Sequence, residues 1–89
     1  MVIYNWDKEK NIKLKVERDI TFEEIVFYIS SENLLDIIKN PNTIYKNQFM
    51  FVVNINNYVY LIPFVKNKNE IFLKTIYPSR KATKKYLKN

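Results

Sequence analysis

Between Lys74 and Lys88 the chain gathers six cations, two tyrosines and three hydroxyl side chains, and not one carboxylate. Side chains of these types bind anions. Arg80 comes first, because a guanidinium grips two phosphate oxygens at once. Lys74 comes second: it interrupts the apolar run Ile71-Phe72-Leu73 … Ile76-Tyr77, and a charge in such a run requires either solvent or a partner. Lys81, Lys84 and Lys85 suit the positioning of a phosphate better than its transformation. Tyr77 can stack on a base or donate a proton, whereas Tyr86, four residues after Ala82, suits packing. The plainer alternatives are an Arg80 that pairs with Glu70 on the surface and a Lys74 that simply faces water.

Charge is distributed to match. Residues 1–40 hold six basic and eight acidic side chains, a balance of −2, whereas residues 41–89 hold nine basic and one acidic, a balance of +8. Such asymmetry points to a polyanion, or an acidic protein, bound by the second half. The 89 residues contain no cysteine and no histidine. That removes disulfides, thiolate sites and the commonest metal ligand, so no metal and no cofactor is expected. No apolar run reaches the ~18 residues of a membrane span and no signal-peptide pattern opens the chain; a cytoplasmic location away from membranes is expected.

The elements that must position the basic stretch are partly legible. Ile71 to Tyr77 reads as a strand stopped by Pro78; Ser79 is a good N-cap, and Arg80 to Lys88 follows as a short helix. Phe49–Ile55 and Tyr58–Val65 read as a hairpin turned at Asn56-Asn57, with Asn67-Lys68-Asn69 closing a second one. The chain has no glycine, so asparagine is expected to take the left-handed turn positions. Pro63 argues for an edge or a bulge. Tyr45, Tyr58 and Tyr60 are expected on strand faces, without function. Near the start, Val2–Tyr4 reads as an edge strand and Trp6 as a core anchor. Thr21 and Glu24 form a capping box, with Ile20 and Ile25 as a staple; this gives Glu23 and Glu24 a sufficient structural role. Leu34 to Lys39 reads as a second short helix, by its length and the Leu34/Ile37/Ile38 spacing. For Lys8–Arg18 two patterns compete. Ile12, Leu14 and Val16 alternate as in a strand, while Ile12/Val16 and Glu9/Lys13 are spaced as in a helix.

Two blocks carry a resemblance. The apolar strand followed by Ser79-Arg80-Lys81-Ala82-Thr83 and a basic helix resembles the C-terminus of the BrnT-like toxins. Trp6-Asp7, Lys10 and Ile20-Thr21-Phe22-Glu23-Glu24 resemble that family's opening, at matching spacing. Together they cover roughly half of the chain. The BrnT-like toxins are small RelE-fold ribonucleases of type II toxin–antitoxin pairs. The resemblance favours a helix over residues 8–18. It implies one toxin-like α+β domain over residues 1–89: an antiparallel β-meander with two helical elements on one face and a short C-terminal helix. It also implies metal-independent endoribonuclease activity on messenger RNA, and a cognate, DNA-binding antitoxin as partner in a hetero-oligomer. On that basis Arg80 and Lys74 are the candidate catalytic residues, and Lys10, Arg18, Tyr77, Lys81, Lys84 and Lys85 are candidate RNA contacts.

RNA cleavage requires a deprotonated 2′-hydroxyl, a stabilised phosphorane and a protonated leaving oxygen. Without histidine, a lysine, a tyrosine or a carboxylate must move the protons. The family has a lysine-histidine-glycine turn where this chain has Glu17-Arg18-Asp19. The alternative function is therefore a non-catalytic member of the same fold, holding RNA, an antitoxin or another enzyme as the gyrase-directed members do.

Overall fold

A computed structural model describes residues 2–41, 44 and 47–87. They build strands β1 (Ile3–Trp6), β2 (Leu34–Lys39), β3 (Gln48–Ile55), β4 (Tyr58–Asn67), β5 (Glu70–Leu73) and β6 (Tyr77–Pro78), and helices α1 (Lys8–Arg18), α2 (Phe22–Ile29) and α3 (Arg80–Tyr86). The strands form one sheet in the order β1-β5-β4-β3-β2, with β6 pairing the first part of β4. The fold is α+β. The meander β3-β4-β5 is antiparallel as expected, but the whole sheet is mixed, because β1 joins its edge parallel to β5.

Local chemistry explains both N-terminal helices. Asp7 caps α1, its Oδ1 accepting from the amides of Glu9 and Lys10 at 2.8 and 3.3 Å. Asp19 ends the helix in the left-handed region (φ 54°), with its amide bonded to the Lys15 carbonyl. The capping box on α2 is complete: Thr21 Oγ1 accepts from Glu24 N, and Thr21 N donates to Glu24 Oε1 at 2.9 Å. Asn11 joins the two helices. Its Oδ1 accepts from Phe22 N at 2.7 Å and its Nδ2 donates to Glu23 Oε1 at 2.8 Å.

The alternating pattern in α1 now has an explanation. Leu14 is buried in the core, while Ile12 and Val16 are 66% and 79% exposed. On a helix, residues two apart point to nearly opposite sides, so three alternating apolar residues cannot share one face. Leu14, Ile20, Phe22, Ile25 and Ile29 pack on Phe51, Val53, Ile62, Phe64, Ile71 and Leu73, the core side of the sheet. Each side chain buried outright there contributes about 1.5–3 kcal/mol. Trp6 is half-buried against this core and stacks on Phe22 with ring centroids 5.7 Å apart.

Two expectations are corrected. Leu34–Lys39 is a strand, paired antiparallel with β3 from Leu34↔Val53 to Lys39↔Phe49. The i, i+3, i+4 spacing of Leu34, Ile37 and Ile38 fits a helix locally, but six residues make too short a helix to stand alone, and the edge of β3 offers a full ladder. Ile71–Tyr77 is not one strand either. Leu73 pairs Phe64 and Tyr77 pairs Leu61, so three residues (74–76) stand opposite two (62 and 63). That is a bulge, and Pro63 sits in it. The Pro63 carbonyl accepts from Lys74 N at 2.8 Å, so the side on which proline lacks a donor is the side where the partner ladder breaks. Pro78 belongs to β6 rather than ending a longer strand.

Both asparagines of the β3–β4 turn take positive φ (54° and 64°), and in the β4–β5 turn the residue that does so is Lys68 (φ 56°). Tyr45 and Lys88, expected on a strand and in the last helix, lie outside the described residues.

Candidate nucleic-acid interface

Helix α3 lies on the face of the sheet opposite α1 and α2. Ser79 and Thr83 fasten it there. Ser79 N donates to the Val59 carbonyl at 2.9 Å, and Val59 N donates to Thr83 Oγ1 at 2.9 Å. Thr83 Oγ1 in turn donates to the Ser79 carbonyl at 2.7 Å. Ser79 Oγ caps the helix by accepting from Ala82 N at 3.0 Å. At the far end Tyr86 OH donates to Asp36 Oδ2 of β2 at 2.8 Å. That bond holds the Tyr86 hydroxyl above its usual pKa of 10.0, so at neutral pH it is a committed donor. Asp36 uses both oxygens, since its Oδ1 also accepts from Ile37 N at 2.8 Å.

Anchored in this way, α3 turns Ala82, Thr83 and Tyr86 towards the sheet and leaves Arg80, Lys81, Lys84 and Lys85 exposed. Between α3 and the sheet runs a groove of about 260 Å³. Met50, Val52 and Leu61 floor it, Tyr86 and Ala82 wall it, and Lys81 and Lys85 stand at its rim. Tyr77 lies directly across the ladder from Leu61, close beside this floor. An apolar floor with a cationic rim suits a polyanion whose monomers are flat and apolar on their faces.

The structure thus sorts the candidate residues into groups. Lys81 and Lys85 line the groove, Tyr77 pairs with Leu61 of its floor, and Arg80 and Lys84 lie on the outer stripe of the same helix. Lys74 is exposed in the bulge, its backbone bonded to Pro63. Pro63 is two residues along β4 from Leu61, about 7 Å at the usual strand rise. Among the described residues none of Lys74, Arg80, Lys81 and Lys84 forms an ion pair; the one salt bridge found is Lys15–Asp19. Lys85 Nζ lies 5.5 Å from the Tyr86 ring centroid. Glu70 does not pair with Arg80. It accepts a hydrogen bond from Asn5 on β1.

Lys10 and Arg18 lie elsewhere. Both are on α1, across the sheet from α3, and flank Leu14 one turn to either side. Arg18 Nη1 donates to the Ile76 carbonyl at 2.6 Å, so it secures the bulge from the core side. The groove floor itself was missed in the sequence. Met50, Val52 and Leu61 read there only as strand residues, and the signal that singles them out is their phase: they alternate with the core residues Phe51, Val53 and Ile62.

Among the described residues no group of three or more acidic, cysteine or histidine side chains is placed to hold a metal, and no helix is long and apolar enough to cross a membrane. No family model matches this chain, and no curated protein or solved structure matches it either.

Proposed function

We propose that this chain is the toxin of a type II toxin–antitoxin pair, of the BrnT-like kind within the RelE superfamily, and that it cleaves messenger RNA held along α3. One observation carries the reading: four exposed cations on a helix that is bonded over an apolar groove, with no carboxylate among the described residues paired to Arg80, Lys81 or Lys84. RNA phosphates would run along the helix, with a base against Leu61 and Tyr77. Arg80, held by a capped first turn, is the group to stabilise a phosphorane, with Lys74 as the second cation. Tyr86 is tied to Asp36, which leaves Tyr77 as the tyrosine able to pass a proton.

A second reading is favoured by a specific observation. Among the described residues no carboxylate lines the groove, and Asp36, which is bonded to α3, already holds the Tyr86 hydroxyl and Ile37 N. A non-catalytic protein of the same architecture, binding RNA, an antitoxin or another enzyme, needs no carboxylate base.

The purified protein incubated with single-stranded RNA, with binding and chain cleavage followed separately, distinguishes the two. The toxin reading expects cleavage that Arg80→Ala abolishes while binding persists, and growth arrest on induced expression that the same substitution relieves. Binding without cleavage, merely weakened by Arg80→Ala, supports the second reading. Neither binding nor cleavage would end the toxin reading and the RNA-binding form of the second, leaving a protein partner as the ligand.

A further inference from the structure

On the face of the sheet that carries α1 and α2, one corner is covered by neither helix. Beyond the reach of α2, Ile37, Phe49, Phe51, Phe64, Lys66 and Ile71 line a recess of about 190 Å³. Its floor is an aromatic ladder: the Phe51 and Phe64 rings stack at 4.1 Å, and Phe49 stacks on Phe64 at 5.7 Å. Ile37, directly across from Phe51, is 52% exposed on its wall. Two lysines frame it, Lys66 in the lining and Lys39 directly across the ladder from Phe49. Neither forms an ion pair among the described residues.

Size and charge together select the occupant. Pockets for drug-sized ligands and cofactors run to about 300–1,000 Å³, so this recess admits a single large side chain. The paired lysines favour carboxylates beside that side chain. The backbone edge of β2 is a poor site for strand addition, because Asp36 Oδ1 already takes the Ile37 N–H, and such blunting discourages an added strand.

We infer that this recess is a docking site for an acidic protein segment, which inserts one aromatic or large aliphatic side chain against Phe49, Phe51 and Phe64 and sets carboxylates against Lys39 and Lys66. The site lies on the opposite face of the sheet from the α3 groove, so the segment and an anion on α3 bind together. The inference does not rest on the RNA reading.

The test uses the full chain, ¹⁵N-labelled, with three synthetic heptapeptides: a tryptophan flanked by glutamates, the same tryptophan flanked by lysines, and glutamates flanking alanine. The glutamate–tryptophan peptide is expected to shift the amide signals of residues 37, 49, 51, 64, 66 and 71 and to leave α3 unmoved. Lys66→Glu, which alters charge without opening the core, is expected to weaken it about fivefold, the upper worth of one exposed ion pair. Ile37→Ser weakens it as well, and a short RNA on α3 does not displace it. Equal binding of the lysine peptide overturns the inference, as does shifting confined to α3. So does a recess whose signals move on dilution of the protein alone, which would mark a second copy as the occupant.

Discussion

Arg18 shows how one side chain serves fold or ligand according to where its guanidinium lands. In the sequence it is a cation among others. In the structure it crosses from the end of α1 to the carbonyl of Ile76, 58 residues on, and holds the bulge that lets the chain turn from β5 into β6. A hydrogen bond from a charged donor is worth about 1.5–3 kcal/mol where shielded, and less at an exposed residue such as this one. Arg18→Ala is therefore expected to cost about 1 kcal/mol in a denaturant titration while leaving RNA affinity unchanged. Arg80→Ala should behave in the opposite way, with unchanged stability and lost cleavage, because Arg80 is exposed and bonded to nothing else described. The pair separates a cation used by the fold from one left for a ligand.

At the scale of elements, two polar clamps decide how the helices meet the sheet. Asn11 is the first. It takes the Phe22 amide, one of the unpaired donors at the start of α2, and gives its own amide to Glu23. Asn11→Ala removes both bonds and is expected to destabilise by about 1–2 kcal/mol, measured by urea unfolding. It should also change the response to acid. The Asn11 donor holds the Glu23 carboxyl below its ordinary value of 4.5. A depressed carboxylate contributes stability that is present above its unfolded pKa and lost as pH falls through the folded one. The cost of Asn11→Ala should accordingly be full at neutral pH and shrink as the solution is taken below about pH 4.5, a trend visible in unfolding midpoints measured across that range.

Thr83 is the second clamp. The Val59 amide donates to it and Val59 is fully buried, so Thr83→Val keeps the shape and orphans a buried donor. A cost of about 1–3 kcal/mol is expected, with hydrogen exchange accelerated at Val59 and along α3 but not in α1 or α2.

At the scale of the whole molecule, the sheet keeps two surfaces apart. One carries α1 and α2, whose five basic and four acidic side chains nearly balance, and the other carries α3, with four cations and no carboxylate. The whole-chain excess of +6 understates the field above α3, since the cations of α3 have no acid on their own helix to offset them. Replacing Lys81 and Lys85 together by glutamate should weaken RNA binding across all sequences tested. If each meets one phosphate of a single strand, the slope of log affinity against log salt falls by about 1.4; fluorescence anisotropy between low and moderate salt reads it directly. An unchanged slope would remove the groove rim from any RNA path.

The caps of α2 and α3 and the position of the β3–β4 turn were legible in the sequence, because each is set by residues within a few positions of one another. Thr21 with Glu24, Ser79 and the Asn56-Asn57 pair act on backbone groups close by, and the structure places all of them as their types imply. The basic final helix and its cap are equally local. What depended on distant partners was not legible: that Leu34–Lys39 extends the edge of β3 instead of coiling, that β1 runs parallel to β5, that Pro63 faces a gap in the ladder, and that Arg18 is used by the bulge. Residue types and spacing determined that an unbalanced run of cations would follow a capped corner. Only the tertiary structure decided which of those cations share a groove, because a strand's pairing, and with it the face each side chain occupies, is chosen by neighbours that lie far away in the chain.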